Sequence, residues 1–303
     1  MLRSMYAGVS GMRGFQTKLD VIGNNIANVS TSGFKKGRVT FQDMMSQTIS
    51  GAEAPVAGGV RGGVNPAQVG LGSQVGSIDN IHTQGNRQTT NRMLDFALEG
   101  DGMFVIGNNL ALNATSNEVD MDNSTITFTR AGNFYLDDDG FIVDANGNYL
   151  LGAENTAADQ GGNATYQLGR LQIPETASSF SVQSDGKVMY VDADGKVKEA
   201  GQIRLAKFSN PGGLEKAGNN AFRLTGNAGV NTDGDNQFNA LEDMVIPQQD
   251  GSASVVAGAL EMSNVDLAEE FTEMITAQRG FQANTRIITT SDEILQELVN
   301  LKR

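Results

Sequence analysis

Cysteine and tryptophan are absent from this 303-residue chain, and histidine occurs once, at His82. Without cysteine the chain can form neither disulfides nor thiolate metal sites, and it has no thiol nucleophile. With one histidine, any histidine-dependent triad would have to use His82, whose polar, turn-like neighbourhood predicts a surface or hydrogen-bonded side chain rather than a catalytic base. Phosphate-binding loops, Gly-rich dinucleotide turns and Gly-x-Ser-x-Gly turns are also missing. These absences predict that the chain is not an enzyme and carries no cofactor.

Basic residues are outnumbered by acidic ones, 22 to 35, which gives a net charge of −13. This balance argues against nucleic acid as a partner, because phosphate binding needs a basic face. No apolar run approaches the ~18 residues of a membrane span, and the first residues lack the apolar core of a signal peptide. We therefore expect no membrane insertion, and a protein that is either cytoplasmic or exported without a cleaved signal.

The two ends of the chain have the periodicity of amphipathic helices, because apolar residues recur at steps of three and four. The second helix is expected from about residue 265 to residue 300, with Ser263 or Asn264 as its N-cap. At 1.5 Å per residue it would be on the order of 50 Å long, which suggests a coiled-coil-like rod. The expected assembly interface consists of Met5, Val9, Met12, Phe15, Leu19, Ile22 and Ile26 in the first helix, and Leu267, Phe271, Met274, Phe281, Ile288, Leu295 and Leu298 in the second.

Opposite charges on the two ends favour their pairing, within one chain or between chains. Residues 1–45 carry six basic and two acidic side chains, whereas residues 261–303 carry four basic and eight acidic ones. Four glycines in the first helix weaken it by ~1 kcal/mol each relative to alanine. Two interpretations stay open: an ordinary helix packed on its own domain, or a segment that orders only against partners.

Between the ends the pattern changes to short apolar runs separated by Asp-Gly and Asn-Gly turns, which is typical of antiparallel strands. The sequence thus predicts an α+β multidomain protein with paired terminal helices, an extended linker and a central all-β domain. The expected boundaries are an N-terminal assembly helix over 1–30, a linker with a Gly-rich stretch over 31–90, the β domain over 91–254 and a C-terminal assembly helix over 255–303.

A polar, acidic loop near the end of the β domain has the spacing of a calcium-binding loop. Its oxygen-bearing residues fall at positions 1, 3, 5, 9 and 12 of an EF-hand-like segment: Asn231, Asp233, Asp235, Asn239 and Glu242. Asn236 replaces the glycine expected at position 6, and the flanks do not have helical periodicity. A plain loop is therefore the preferred interpretation, and a calcium-binding β module the alternative.

Residues 19–35 resemble the N-terminal signature of the bacterial flagellar axial proteins, the rod and hook subunits; its motif residues here are Asn24, Asn25, Asn28, Gly33 and Phe34. Residues 259–267, 274–284 and 294–301 match the other end of that family. Shorter and less specific matches lie at 99–104 and 128–134.

The resemblance implies a subunit of a helical tube that transmits motor torque to the filament. It also implies the partners: further copies of the chain, other axial proteins at the rod and filament junctions, and the flagellar export apparatus. The expected location is the flagellum, in the extracellular hook or the basal body, reached without cleavage of a signal. The C-terminal match favours a hook subunit, and the length restricts it to the short kind that lacks a further outer β domain, with the distal rod subunit as the alternative.

Overall fold

A computed structural model describes residues 2–54, 62–112, 118–121, 123–155, 166–230, 238–249 and 251–301. The chain divides into two compact units. Unit 1 joins both ends of the chain and consists of Met1–Asn28, Lys36–Ile81 and Val265–Arg303, and unit 2 consists of Val29–Lys35 and His82–Asn264. Within the described residues, neither helix contains a stretch that is long and apolar enough to cross a membrane.

The described residues of unit 1 form two helices and four strands. They are α1 (Leu2–Ala27), β1 (Gly37–Asp43), β2 (Ser46–Ser50), β3 (Ala67–Gly70), β4 (Ser73–Asn80) and α2 (Leu267–Leu301). Strand β1 pairs antiparallel with β4, and β2 pairs antiparallel with β3. Part of the segment expected to be an extended linker therefore forms two strand pairs.

The helices α1 and α2 pack against each other, which confirms the predicted pairing of the two ends of the chain. An ion pair of 3.1 Å between Lys18 Nζ and Glu273 Oε2 joins them, as the opposite charges of the two ends suggest. The N-cap of α2 is Asp266 rather than Ser263 or Asn264. Its Oδ1 accepts a 2.8 Å hydrogen bond from the N–H of Ala268, which would otherwise have no partner inside the helix.

Unit 2 is built almost entirely of antiparallel strands. They are β5 (Arg87–Thr89), β6 (Phe96–Glu99), β7 (Met103–Asn108), β8 (Ala111–Leu112), β9 (Val119–Asp120), β10 (Thr125–Thr129), β11 (Tyr135–Leu136), β12 (Ile142–Val143), β13 (Tyr149–Asn155), β14 (Tyr166–Arg170), β15 (Ser179–Val182), β16 (Lys187–Val191), β17 (Val197–Ile203), β18 (Leu205–Ala206), β19 (Glu215–Gly218), β20 (Ala221–Arg223), β21 (Ser254–Ala257) and β22 (Ala259–Glu261). The predicted central β domain is confirmed.

Among the described residues, the main sheet of unit 2 has twelve strands, with β7 near its centre between β13 and β10. Side chains alternate between the two faces of a strand, and both faces of β7 are buried. Phe104 and Ile106 enter one apolar cluster together with Phe134. Met103 and Val105 enter a second cluster on the opposite face. The central strand therefore joins two cores, which explains its continuous apolar sequence.

Four predicted turns of unit 2 share one geometry. At Gly140, Gly147, Gly186 and Gly195 the backbone φ lies between 75° and 83°, a region that residues with a Cβ seldom enter. In each turn the glycine N–H donates to the carbonyl oxygen three residues earlier, as from Gly195 to Asp192 at 2.9 Å. The Asp-Gly and Asn-Gly pattern thus located hairpin connections correctly.

Candidate assembly surfaces

Glycines of α1 and α2 let the two helices of unit 1 approach closely. A Cβ added to Gly11 would lie 2.7 Å from Asn284 Nδ2, and one added to Gly280 would lie 2.6 Å from the Phe15 ring. Gly8 faces Ile288 in the same way. As the residue number rises along α1, the number of the facing residue in α2 falls, so the two helices are antiparallel. The glycines that weaken α1 alone therefore serve its packing.

Small and polar residues of α2, rather than its large apolar ones, form much of the seam with α1. Glu270, Ala277 and Ser291 are buried, and Asn284 contacts Gly11. These four positions repeat every seven residues, which places them on one face of the helix. These four residues are absent from the predicted interface because that prediction used large apolar residues only. Their seven-residue repeat is the signal that could have identified them.

The predicted interface residues occupy different environments. In α1, Ile22 is buried and the other six are half-buried. In α2, Met274, Ile288 and Leu295 are half-buried, whereas Leu267, Phe271, Phe281 and Leu298 are exposed by 36–49%. The helix pair inside one chain therefore covers part of the predicted set and leaves part of it open.

Asn25 fixes the end of α1 against the start of β1. Its amide Nδ2 donates to the carbonyl oxygen of Gly37 at 2.9 Å, and its Oδ1 accepts from the N–H of Gly37 at 3.0 Å. The same amide donates to Glu270 Oε2 at 3.1 Å. Burial raises the pKa of Glu270, and the hydrogen bond from Asn25 opposes that shift. This motif residue thus ties a helix, a strand and α2 together within unit 1.

Neighbouring motif residues have simpler roles. Asn28 Nδ2 donates to the carbonyl oxygen of Asn24 at 2.9 Å at the end of α1. Gly33 belongs to unit 2 and has φ of +70°, and a Cβ there would lie 2.5 Å from the backbone nitrogen of Ala131. Phe34 is buried beneath Lys216, whose Nζ lies 4.9 Å from the ring centroid. Glycine at position 33 is thus required by both its backbone conformation and the space around it.

Unit 2 contains a buried cluster of charged side chains, one of which, Lys35, directly follows the motif in sequence. Lys35, Arg130 and Glu261 have side chains that are at most 5% exposed. Lys35 Nζ lies 2.5 Å from Glu261 Oε1, and Arg130 Nη1 lies 3.1 Å from Glu261 Oε2. Burial lowers the pKa of Lys35, and the adjacent carboxylate of Glu261 opposes this shift. Residues 226 apart in sequence are thereby fixed to each other.

Backbone groups supply further hydrogen bonds to this charge cluster. Glu261 Oε1 also accepts from the N–H of Gly85 at 2.9 Å. Lys35 Nζ donates to the carbonyl oxygen of Thr83 at 2.9 Å, and Arg130 Nη2 donates to that of Gly100 at 2.7 Å. Buried ions are tolerated when such partners replace water. The arrangement is structural, since it holds the segment after α1 inside the β unit.

His82 is half-buried, whereas a surface or hydrogen-bonded side chain was expected. Its ring lies 5.2 Å from that of Phe222, and neither ring nitrogen has a hydrogen-bond partner among the described residues. Burial and the nearby cations Lys35, Arg130 and Lys216 lower the pKa of His82 to about 4. The ring is therefore neutral near pH 7. The apolar contact that buries it lies 140 residues away in sequence, so local polarity was misleading.

The expected calcium loop lies largely outside the described residues, which exclude Asn231, Asp233 and Asp235. Of the remaining two residues, Asn239 has its N–H bonded to Asp243 Oδ2 at 3.0 Å, and Glu242 is exposed. Within the described part of the chain, no group of three or more acidic or histidine side chains is arranged to hold a metal ion.

Three family models match the chain. The flagella basal body rod protein model matches residues 5–35, the flagellar hook protein FlgE/F/G D1 domain model matches 117–190, and the flagellar basal body rod FlgEFG protein C-terminal model matches 256–301. The first and last matches cover α1 and α2 of unit 1. The middle match lies in unit 2.

Full-length relatives decide the family. The flagellar basal-body rod protein FlgG of Bacillus subtilis is 51% identical over 303 residues, covering all of both chains. This chain belongs to the family of flagellar rod and hook proteins. A second rod relative, FlgG of Borreliella burgdorferi, is 32% identical over 308 residues, and the hook protein FlgE of the same organism is 31% identical over 468. Members of this rod and hook family are structural subunits of the flagellum rather than enzymes.

Proposed function

We propose that this chain is the distal rod subunit of the flagellar basal body, which polymerises into a tube that transmits motor torque. The 51% identity to a rod protein of matching length carries this proposal. The hook alignment spans 468 positions against the 303 residues of this chain, so the hook relative is longer. These comparisons favour the rod over the hook expected from the sequence, because the C-terminal resemblance that suggested a hook is shared by both branches.

The geometry of unit 1 supports a polymer. Large apolar side chains stay exposed along α2 after α1 has packed on it, among them Phe271 and Ile275 at 49% and 51%. Phe271 and Ile275 are one helix turn apart, and such an exposed pair of large apolar side chains favours a partner that covers it. Head-to-tail contacts between different surfaces of identical copies would cover these residues and produce an open helical tube.

We infer that the fourteen predicted interface residues act in two ways. Residues such as Ile22 and Ile288 pack inside one chain, and exposed ones such as Phe271 and Phe281 pack against neighbouring copies. Other axial proteins at the two ends of the tube are the further partners. Passage through the flagellar export apparatus, without cleavage of a signal, is proposed from the family membership.

Imaging of labelled basal bodies tests this assignment. A short epitope inserted in the exposed turn around Asp194 avoids both helices, and the native hook subunit carrying its own epitope serves as the control. Gold label along the distal rod, below the hook label, is the expected result. Label that coincides with the hook would refute the rod assignment, and label absent from intact flagella would refute the axial role.

A further inference from the structure

A groove beside α1 in unit 1 is open among the residues that the structure describes. It has a volume of about 670 Å³ and lies between α1 and the segments around Met44 and Leu71. Its apolar lining comes mainly from Tyr6, Val9, Leu71 and Val75. A 150 Å³ apolar cavity suffices for one benzene-sized group, so this groove has room for about four such groups.

The groove is positively charged. Arg3 and Arg13 line it, and its lining includes no carboxylate. Within the described residues neither arginine takes part in an ion pair or a side-chain hydrogen bond. Tyr6, between them, is 72% exposed. The groove therefore combines an apolar surface with two guanidinium groups that have no partner, so an apolar segment that carries carboxylates would complement it.

The last part of α2 has the complementary composition. Residues 287–301 include Asp292, Glu293 and Glu297 but no basic residue. Ile287, Ile294, Leu298 and Leu301 follow one another at steps of seven, four and three, and each is at least 42% exposed. These steps place the four side chains on one face of the helix, which we name the terminal stripe.

The register of the helix pair keeps the terminal stripe away from α1. Gly8 faces Ile288, Phe15 faces Gly280, and Asn25 faces Glu270. Extending this antiparallel register places Leu2, the first described residue of α1, opposite about residue 293. Residues 294–301 thus run beyond α1 for roughly 12 Å at 1.5 Å per residue. Three of the four stripe residues lie in this overhang.

We propose that the groove beside α1 binds the terminal stripe of α2 from a second copy of this chain. The inference rests on the proposed polymer and names one of its contacts. Burial of the apolar stripe supplies most of the binding free energy, and the pairing of Arg3 and Arg13 with Glu293 and Glu297 fixes the orientation. Groove and stripe are different surfaces, so each bound copy leaves a free groove or stripe for the next.

Because the chain has no cysteine of its own, only introduced cysteines can form disulfides, so contacts can be mapped in the full-length chain. Tubes are assembled from a mixture of two single variants, Tyr6→Cys with Leu298→Cys or with Ile294→Cys, and then oxidised. A disulfide requires Cα atoms within about 7 Å, so a covalent heterodimer reports direct contact between copies. The matched control is Ile275→Cys, which is 51% exposed on a different face of α2.

Heterodimers with position 294 or 298, but not with position 275, are the expected result. Tubes that yield none of these heterodimers, or yield them equally with the control, would overturn the groove assignment. Wild-type protein that forms no tubes at high concentration would instead refute the polymer itself, so the two failures are distinguishable.

Charge exchange gives an independent test. The double variant Arg3→Glu/Arg13→Glu is expected to raise the critical concentration for assembly roughly tenfold at low salt, because two attractions become repulsions. Adding Glu293→Arg/Glu297→Arg should restore assembly to within about twofold of wild type. Unchanged assembly by the first variant, or no recovery in the second, would contradict the proposed pairing.

Discussion

Removing the negative charge at the centre of the cluster in unit 2 should destabilise this unit strongly. In Glu261→Gln the side chain keeps its shape, but Lys35 and Arg130 lose the carboxylate that lies 2.5 Å and 3.1 Å from them. All three side chains are at most 5% exposed, so water cannot replace the lost interaction. Breaking a buried ion pair on one side costs about 3–5 kcal/mol.

Deprotonation of Lys35 limits the part of that cost that falls on Lys35. Releasing its proton at pH 7 from a reference pKa of about 10.4 costs roughly 5 kcal/mol at 1.36 kcal/mol per pH unit. The two routes therefore give similar magnitudes. In the variant the folded pKa of Lys35 lies below the unfolded value, so the unfolded state binds more protons. The loss of stability should consequently shrink as the pH rises towards 10.

Thermal and urea unfolding of the full chain, followed by circular dichroism, measures this effect. A loss of about 4 kcal/mol in a unit of this size corresponds to a fall in Tm of roughly 8–16 °C. The control is Glu99→Gln, which breaks an exposed ion pair with Arg87 and should cost no more than about 1 kcal/mol. A loss below about 1 kcal/mol for Glu261→Gln would refute the idea that the cluster fixes residues 29–35.

Three further outcomes follow from particular contacts. Gly280→Ala should destabilise the helix pair by about 1–3 kcal/mol, because its Cβ would meet the Phe15 ring. Gly23→Ala is the control: a Cβ there meets nothing within 4 Å, so it should stabilise α1 by up to ~1 kcal/mol. Chemical denaturation of the two variants measures both effects. Between pH 6.5 and 4, His82 binds a proton in the unfolded state but not in the native state. The free energy of unfolding should therefore fall by about 1–2 kcal/mol as the pH drops through this range, after allowance for solvent screening. In His82→Phe, acid titrations should no longer show this pH dependence. Phe271→Asp should leave the monomer folded but abolish tubes in electron micrographs, while Thr272→Asp assembles normally; tubes from the former would contradict the role of Phe271.

Much of the fold could be predicted because local sequence patterns indicate its helices and turns. The steps of three and four that start at Met5 identified α1, and glycines such as Gly140 and Gly195 identified turns that need positive φ. Each of these features depends on residues within one helix turn or one hairpin of each other. Opposite charges at the two ends also indicated the helix pairing, which includes the Lys18–Glu273 ion pair.

The features that could not be predicted depend on distant or atypical partners. Lys35 is a lysine with no exposed side-chain surface, and only Glu261, 226 residues later, makes that burial possible. The seam residues Ala277 and Ser291 are small and buried in α2, in a helix pair whose close approach depends on glycines such as Gly11 and Gly280. An apolar pattern therefore identified α2 correctly but did not show which of its faces meets α1.

If the polymer grows by binding of the terminal stripe to the groove beside α1, its assembly should depend on salt in a particular way. With a net charge of −13, separate copies repel each other at distances up to the Debye length, about 8 Å at physiological ionic strength. Attraction between Arg13 and Glu297 of a neighbour acts within the same range, so added salt weakens both effects together. Burial of Ile294 and Leu298 does not depend on screening in this way. Assembly should therefore respond weakly to moderate salt in wild type but strongly to loss of the terminal stripe. A steep loss of tubes between 50 and about 200 mM salt would show instead that charge pairing dominates the contact.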